Sequence, residues 1–137
     1  MTRCYCILLF LTCLLLACAN RGKTKSCSAI REGRFILKGK DMDTFSVERS
    51  GDYQYEKNLR TGTEKKYQVR WTGDCEYTLL LQRIIRDAPI TEKDRVLDSL
   101  SQILTTIQIK KISRDYYIFE ARKEGISFVF EDTMWLK

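Results

Sequence analysis

Apolar and polar residues alternate at the two-residue period of a half-buried strand between Tyr67 and Leu81, with one interruption at Thr72-Gly73-Asp74. That period sends every second side chain toward a core, so the stretch predicts a β-hairpin, which anchors a small antiparallel sheet. Strands are predicted upstream at 33–39, 44–49 and 53–58, and the hairpin's first arm at 65–71. Ser50-Gly51-Asp52 and Thr61-Gly62-Thr63 separate the later ones, each a hydroxyl residue followed by glycine and a small polar residue. After Leu81 the period changes. Pro89, a threonine cap at Thr91 and an acid three residues on at Asp94 precede Val96, Leu97, Leu100, Ile103 and Leu104 at helical spacing. This predicts an amphipathic helix over 91–104, packed on the sheet. Strands resume at 106–112, 116–122 and 126–131, turning at Arg114-Asp115 and Glu124-Gly125.

Residues paired across an antiparallel ladder share a face, so side-chain parity selects the loop lengths. A three-residue loop at Thr72-Gly73-Asp74 pairs Trp71 with Cys75, Val69 with Tyr77 and Tyr67 with Leu79, apolar with apolar. The same length at the two earlier loops pairs Tyr53 with Trp71, Tyr55 with Val69 and Val47 with Tyr55. A two-residue turn at Glu124-Gly125 pairs Ala121 with Phe128 and Phe119 with Phe130. One face then carries Val47, Tyr53, Tyr55, Tyr67, Trp71 and Tyr77. Glu48, Gln54, Arg70 and Glu76 form a transverse row on the other. That row is either a solvated face knitted by exposed ion pairs or a recognition strip for an anionic or carbohydrate ligand. Acid-base work by Glu48 and Glu76 around Arg70 is a third option, although no closed cleft is indicated to raise one pKa.

About eight strands with local hairpin connections and one inserted helix specify an all-β, or β-rich α+β, fold. The meander either closes into a small barrel or stays a bent sheet. If it closes, Tyr53, Tyr55, Tyr67, Trp71 and Tyr77 either fill a dry core or line a pocket for one small apolar ligand, the lipocalin-like outcome.

The N-terminus changes the picture from fold to address. Arg3 precedes an apolar run from Ile7 to Leu16, then Ala17-Cys18 and polar Asn20-Arg21-Gly22-Lys23. The run is too short to span a hydrocarbon core of about 30 Å and sits behind a basic start, as in an export signal. Leu15-Leu16-Ala17-Cys18 resembles the bacterial lipobox, which implies a signal peptide over 1–17, acylation of Cys18 and anchoring in a lipid bilayer through its acyl chains. Ala19 lacks the aspartate that, by the same resemblance, retains lipoproteins at the inner membrane, so the expected address is the outer membrane. Residues 18–30 read as lipidated start and tether, and 31–137 as one β-rich domain. Cys4, Cys6 and Cys13 leave with the signal and Cys18 carries lipid. Cys27 and Cys75 remain, and an oxidising compartment predicts a disulfide between them.

Two combinations, Val47-x-Arg49-x-Gly51-x-x-Gln54-x-Glu56 and Val69-x-Trp71-x-x-Asp74-Cys75-Glu76-Tyr77, follow Cys18 and Cys27. Together they resemble a group of small secreted bacterial lipoproteins with a lipocalin-like or barrel-like domain and largely unassigned function. The resemblance covers residues 18 to 81, with Asp74-Cys75-Glu76-Tyr77 its most specific part.

Of the 137 residues, 44% are hydrophobic and 31% charged, which places the chain among globular proteins. The net charge of +6 is scattered rather than gathered into a basic stripe, so no nucleic-acid partner is expected. With no histidine and two cysteines set to pair, no metal, cofactor or activated nucleophile is expected either. The expected function is therefore a membrane-anchored lipoprotein whose β-domain binds a small apolar ligand or an envelope protein, without catalysis. The alternatives are a structural envelope lipoprotein acting through protein contacts and, more remotely, a glycan-acting envelope enzyme.

Overall fold

A computed structural model describes residues 26–39 and 43–137. The leader and Cys18 lie outside the described residues. Eight antiparallel strands run in sequence order around a closed barrel: β1 (Gly33–Lys38), β2 (Thr44–Ser50), β3 (Tyr53–Asn58), β4 (Glu64–Trp71), β5 (Glu76–Ile85), β6 (Thr105–Ile112), β7 (Tyr116–Lys123) and β8 (Val129–Leu136). β1 pairs with β8, with Phe35 opposite Leu136 and Leu37 opposite Met134, so no sheet edge is left open. The fold is all-β with one inserted helix, as expected, and of the two outcomes open to the meander the closed barrel is the one that forms.

The connections alternate between two ends. At one end lie the β2–β3, β4–β5 and β6–β7 turns and a 3-10 turn, Cys27–Ile30, that enters ahead of β1. Ile30 is fully buried there and Cys27 nearly so. Cys27 is disulfide-bonded to Cys75 of the β4–β5 loop, with Cα atoms 5.3 Å apart. Residues 27–30, assigned to the tether by sequence, are thus the plug of the barrel's closed end. At the other end lie the β3–β4 and β7–β8 turns and the helix α1 (Glu92–Gln102), inserted between β5 and β6.

Register follows the expected parity in half the barrel. Trp71 faces Tyr77 and Val69 faces Leu79, a slip of two residues from the expected pairing that leaves every side chain on its expected face. The same holds for β7 and β8, where Ala121 faces Phe130. β3 is inverted. Ser50 pairs with Tyr53 across a two-residue Gly51-Asp52 turn in which Gly51 takes a φ of 54°, a conformation that glycine reaches without a Cβ penalty. At the other end of β3, Asn58 closes a longer loop by donating its N–H to the Thr63 carbonyl, while its side-chain oxygen accepts from the N–H groups of Arg60 and Thr61. Both loops differ by one residue from the expected three, and each odd slip turns the strand over. Val47 faces Glu56 in place of Tyr55, and Gln54 rather than a tyrosine of β3 stands on the inner face opposite Tyr67.

The helix starts at the expected cap. Thr91 Oγ1 accepts from the Asp94 N–H, and the Asp94 carboxylate accepts from the Thr91 N–H, a capping box. It contacts β5, and none of its residues is buried. Asp98 is its foothold, bridged to Arg86 at 2.8 Å and Lys65 at 3.1 Å. Ser101 adds a hydrogen bond from Lys65 at 2.7 Å. The helix therefore stands over the open end, its inward face partly ionic.

Candidate functional site: an apolar cavity with a polar pair at opposite walls

The barrel interior is filled at the closed end and hollow toward the open one. The fill is organised by Arg49, which is only 1% exposed. Period two puts it on the same face of β2 as Val47, pointing inward. Nε and Nη2 donate to Gln54 Oε1 at 3.0 and 2.8 Å, and Nη1 donates to the Ile30 carbonyl at 2.7 Å. Nη2 also reaches the hydroxyls of Tyr77 and Tyr117 at 2.8 and 3.1 Å. The guanidinium lies within 6 Å of the rings of Tyr77, Phe35 and Trp71. A buried charge is stable only when hydrogen-bonded throughout, and here neutral acceptors and ring faces supply what a carboxylate usually would. Arg49 thereby ties β2 to the plug, to β3, to β5 and to β7. Burial pushes the Tyr77 hydroxyl well above its ordinary pKa, keeping it a neutral partner.

Above this layer lies a cavity of about 420 Å³, within the range of small-molecule sites. Its floor includes Tyr77 and Gln54, its walls Leu79, Ile107, Phe119 and Met134, and its mouth Leu100 of α1 with Ile126 and Phe128 of the β7–β8 loop. Phe128 is 70% exposed, so the apolar lining continues out onto the rim.

Charged side chains reach this lining from β3 and from β7, strands four apart and so on opposite walls. Glu56 of β3 accepts from Gln54 Nε2 at 2.7 Å, and burial raises its carboxyl pKa above the ordinary value. Lys123, the last residue of β7, donates to Thr105 Oγ1 at 2.9 Å, and burial lowers its ammonium pKa. No salt bridge joins Lys123 to any acid among the described residues. Gln54 links the two layers, accepting from Arg49 and donating to Glu56.

The residues expected to line a pocket divide accordingly. Tyr67 and Tyr77 face the cavity. Trp71 packs beside Tyr77, ring centroids 4.7 Å apart, below the cavity at the closed end. Tyr53 and Tyr55 stand outside the barrel, 40% and 45% exposed, with the Lys66 ammonium 3.8 Å from the Tyr53 ring centre. The inversion of β3 puts them there. It also dissolves the row of Glu48, Gln54, Arg70 and Glu76. Gln54 is buried inside, Glu48 pairs with Arg34 on the surface, Arg70 is exposed, and Glu76 accepts from the Thr72 hydroxyl beside its own loop. Arg49, Glu56 and Lys123 were missed by sequence reasoning, yet the signal existed for two of them. Arg49 is two residues from Val47, and Lys123 two from Ala121, so alternation alone sends both inward.

Among the described residues no group of three or more Cys, Asp or Glu side chains is placed to hold a metal ion. Comparison with protein-family models, with curated proteins and with solved structures finds no match to this chain.

Proposed function

We propose that this protein is an exported, lipid-anchored carrier whose barrel holds one small, largely apolar molecule. The observation that carries the reading is the cavity of about 420 Å³ at the core of a closed barrel, where side chains of an eight-stranded barrel are large enough to fill the interior completely. Ala121 and Thr105 stand at wall positions where larger residues would close the space. Leaving such a void costs stability, roughly 24 cal/mol per Å³ in engineered cores, so a sequence that keeps it open is supported by an occupant. The floor is rigid because the Arg49 hydrogen bonds and the Cys27–Cys75 disulfide fix it, while the mouth is bounded by a helix without a buried residue.

The anchor is proposed on the leader and on Cys18, with the outer membrane as address. Incorporation of labelled palmitate, abolished in Cys18→Ala, tests that half. The carrier half is tested by native mass spectrometry of the protein purified gently from the cells that make it. A retained adduct that disappears on denaturation is the expected result, and a bare protein mass under conditions that keep the barrel folded would contradict it.

A further inference from the structure

The charges around the cavity do not cancel. Among the described residues, Glu56 is the single carboxylate in its lining. Arg49 lies beneath the floor and Lys123 at the mouth, and no acid lies within salt-bridge distance of either among the described residues. Lys65, the other cation near Glu56, is already bridged to Asp98. A low-dielectric space of this kind holds a positive potential that water in the cavity screens weakly.

The two polar groups also differ in depth. Lys123 ends β7 at the open end, with one of its three N–H donors used on Thr105. Glu56 sits two residues inside the corresponding end of β3, above the Gln54–Arg49 layer, with its carboxylate held by Gln54. An anionic group entering from the mouth meets Lys123 first and is turned back from the floor by Glu56, whereas a hydrocarbon chain meets Leu79, Ile107 and Phe119. The cavity accommodates about fourteen non-hydrogen atoms at the ~30 Å³ that one water takes in the liquid, the size of a medium-length chain with a small head.

We propose that the cavity takes a single-chain carboxylate amphiphile, bound tail inward with its carboxylate on Lys123 at the mouth. The inference rests on the carrier reading above and adds the class and orientation of the ligand. Lys123 is a binding residue here, and Glu56 sets orientation.

The test uses calorimetric titration of the mature protein at neutral pH with three probes of equal chain length: dodecanoate, 1-dodecanol and dodecyltrimethylammonium. Dodecanoate should bind about tenfold or more tightly than the alcohol, as a charge-assisted hydrogen bond adds to the same burial, and the cation should bind weakest. Lys123→Met should remove that tenfold advantage and leave the alcohol unchanged, and Lys123→Arg should restore it. Equal binding of dodecanoate and alcohol, tighter binding of the cation, or an unaffected Lys123→Met would overturn the proposal while leaving a carrier. Failure of all three probes to bind a folded barrel would overturn the carrier reading, and this inference with it.

Discussion

The Arg49 guanidinium donates to the Tyr77 hydroxyl at 2.8 Å and lies 4.5 Å from the centre of the same ring, so one tyrosine both accepts from and stacks under the buried charge. Tyr77 in turn floors the cavity. Removing the guanidinium would strand Gln54, Tyr117 and the Ile30 carbonyl at once. Arg49→Met should therefore cost about 3 to 5 kcal/mol in urea unfolding, the range for breaking a buried charged network. A cost below about 1 kcal/mol would mean that the closed end does not depend on this residue.

The disulfide joins the plug to the β4–β5 loop across a sequence separation of 48 residues. Chain entropy alone gives about 4 kcal/mol for a loop of that length. A Cys27→Ser, Cys75→Ser double variant should lose roughly that amount. Its amide protection should fall first at 27–30, since the plug then loses its covalent tie to the β4–β5 loop.

Glu56 predicts a pH dependence of definite sign. Its folded pKa lies above the ordinary value because burial opposes the charge. The folded state therefore binds the proton more tightly than the unfolded chain, and the stabilisation this gives is present at low pH and lost as pH rises through the folded pKa. Glu56→Gln removes the buried charge and keeps an acceptor for Gln54. It should raise the melting temperature at pH 7, with the gain shrinking toward pH 4. An equal effect at both pH values would show that Glu56 titrates as it does in water.

Asp98 carries the opposite sign. Burial works against its carboxylate, but hydrogen bonds from Arg86 and Lys65 hold its pKa below the ordinary value. Its contribution is present above that value and disappears as pH falls through the depressed one. Because the clamp joins α1 to the barrel, Asp98→Asn should speed hydrogen exchange across Glu92–Gln102 several-fold and leave β4–β7 protected. Uniform exchange changes would place the helix within the cooperative core.

The strong periods in this chain were readable. Every strand start was within a few residues, the capping box at Thr91 and Asp94 was visible, and the apolar faces of β4, β5, β7 and β8 came from parity. What failed was one strand. Tyr53 and Tyr55 alternate with Gln54 and Glu56, so β3 has an apolar and a polar face of equal definition. Hydrophobicity then selects the tyrosines for the inside. Two local features overrule it: the positive φ of Gly51, which makes a two-residue turn, and the Asn58 side chain, which lengthens the next loop. Arg49 shows why a buried polar core resists reading. Alternation puts it inside, but an inward arginine is acceptable only once Gln54, Tyr77, Tyr117 and Ile30, distant in sequence, are seen converging on it. The cavity's polar pair was hidden for the same reason.

The space above the Gln54–Tyr77 floor is proposed as a binding site. It is tested most directly by filling it and titrating dodecanoate into the filled and native proteins. Ala121 faces the cavity two residues inside the open end of β7, and Ala121→Trp should occupy much of the volume at an overpacking cost of about 1 to 3 kcal/mol. Dodecanoate should bind one-to-one to the native barrel and at least about tenfold more weakly to Ala121→Trp, with the far-ultraviolet spectrum unchanged. Equal affinity in the two folded proteins would contradict it, because the ligand would then sit elsewhere.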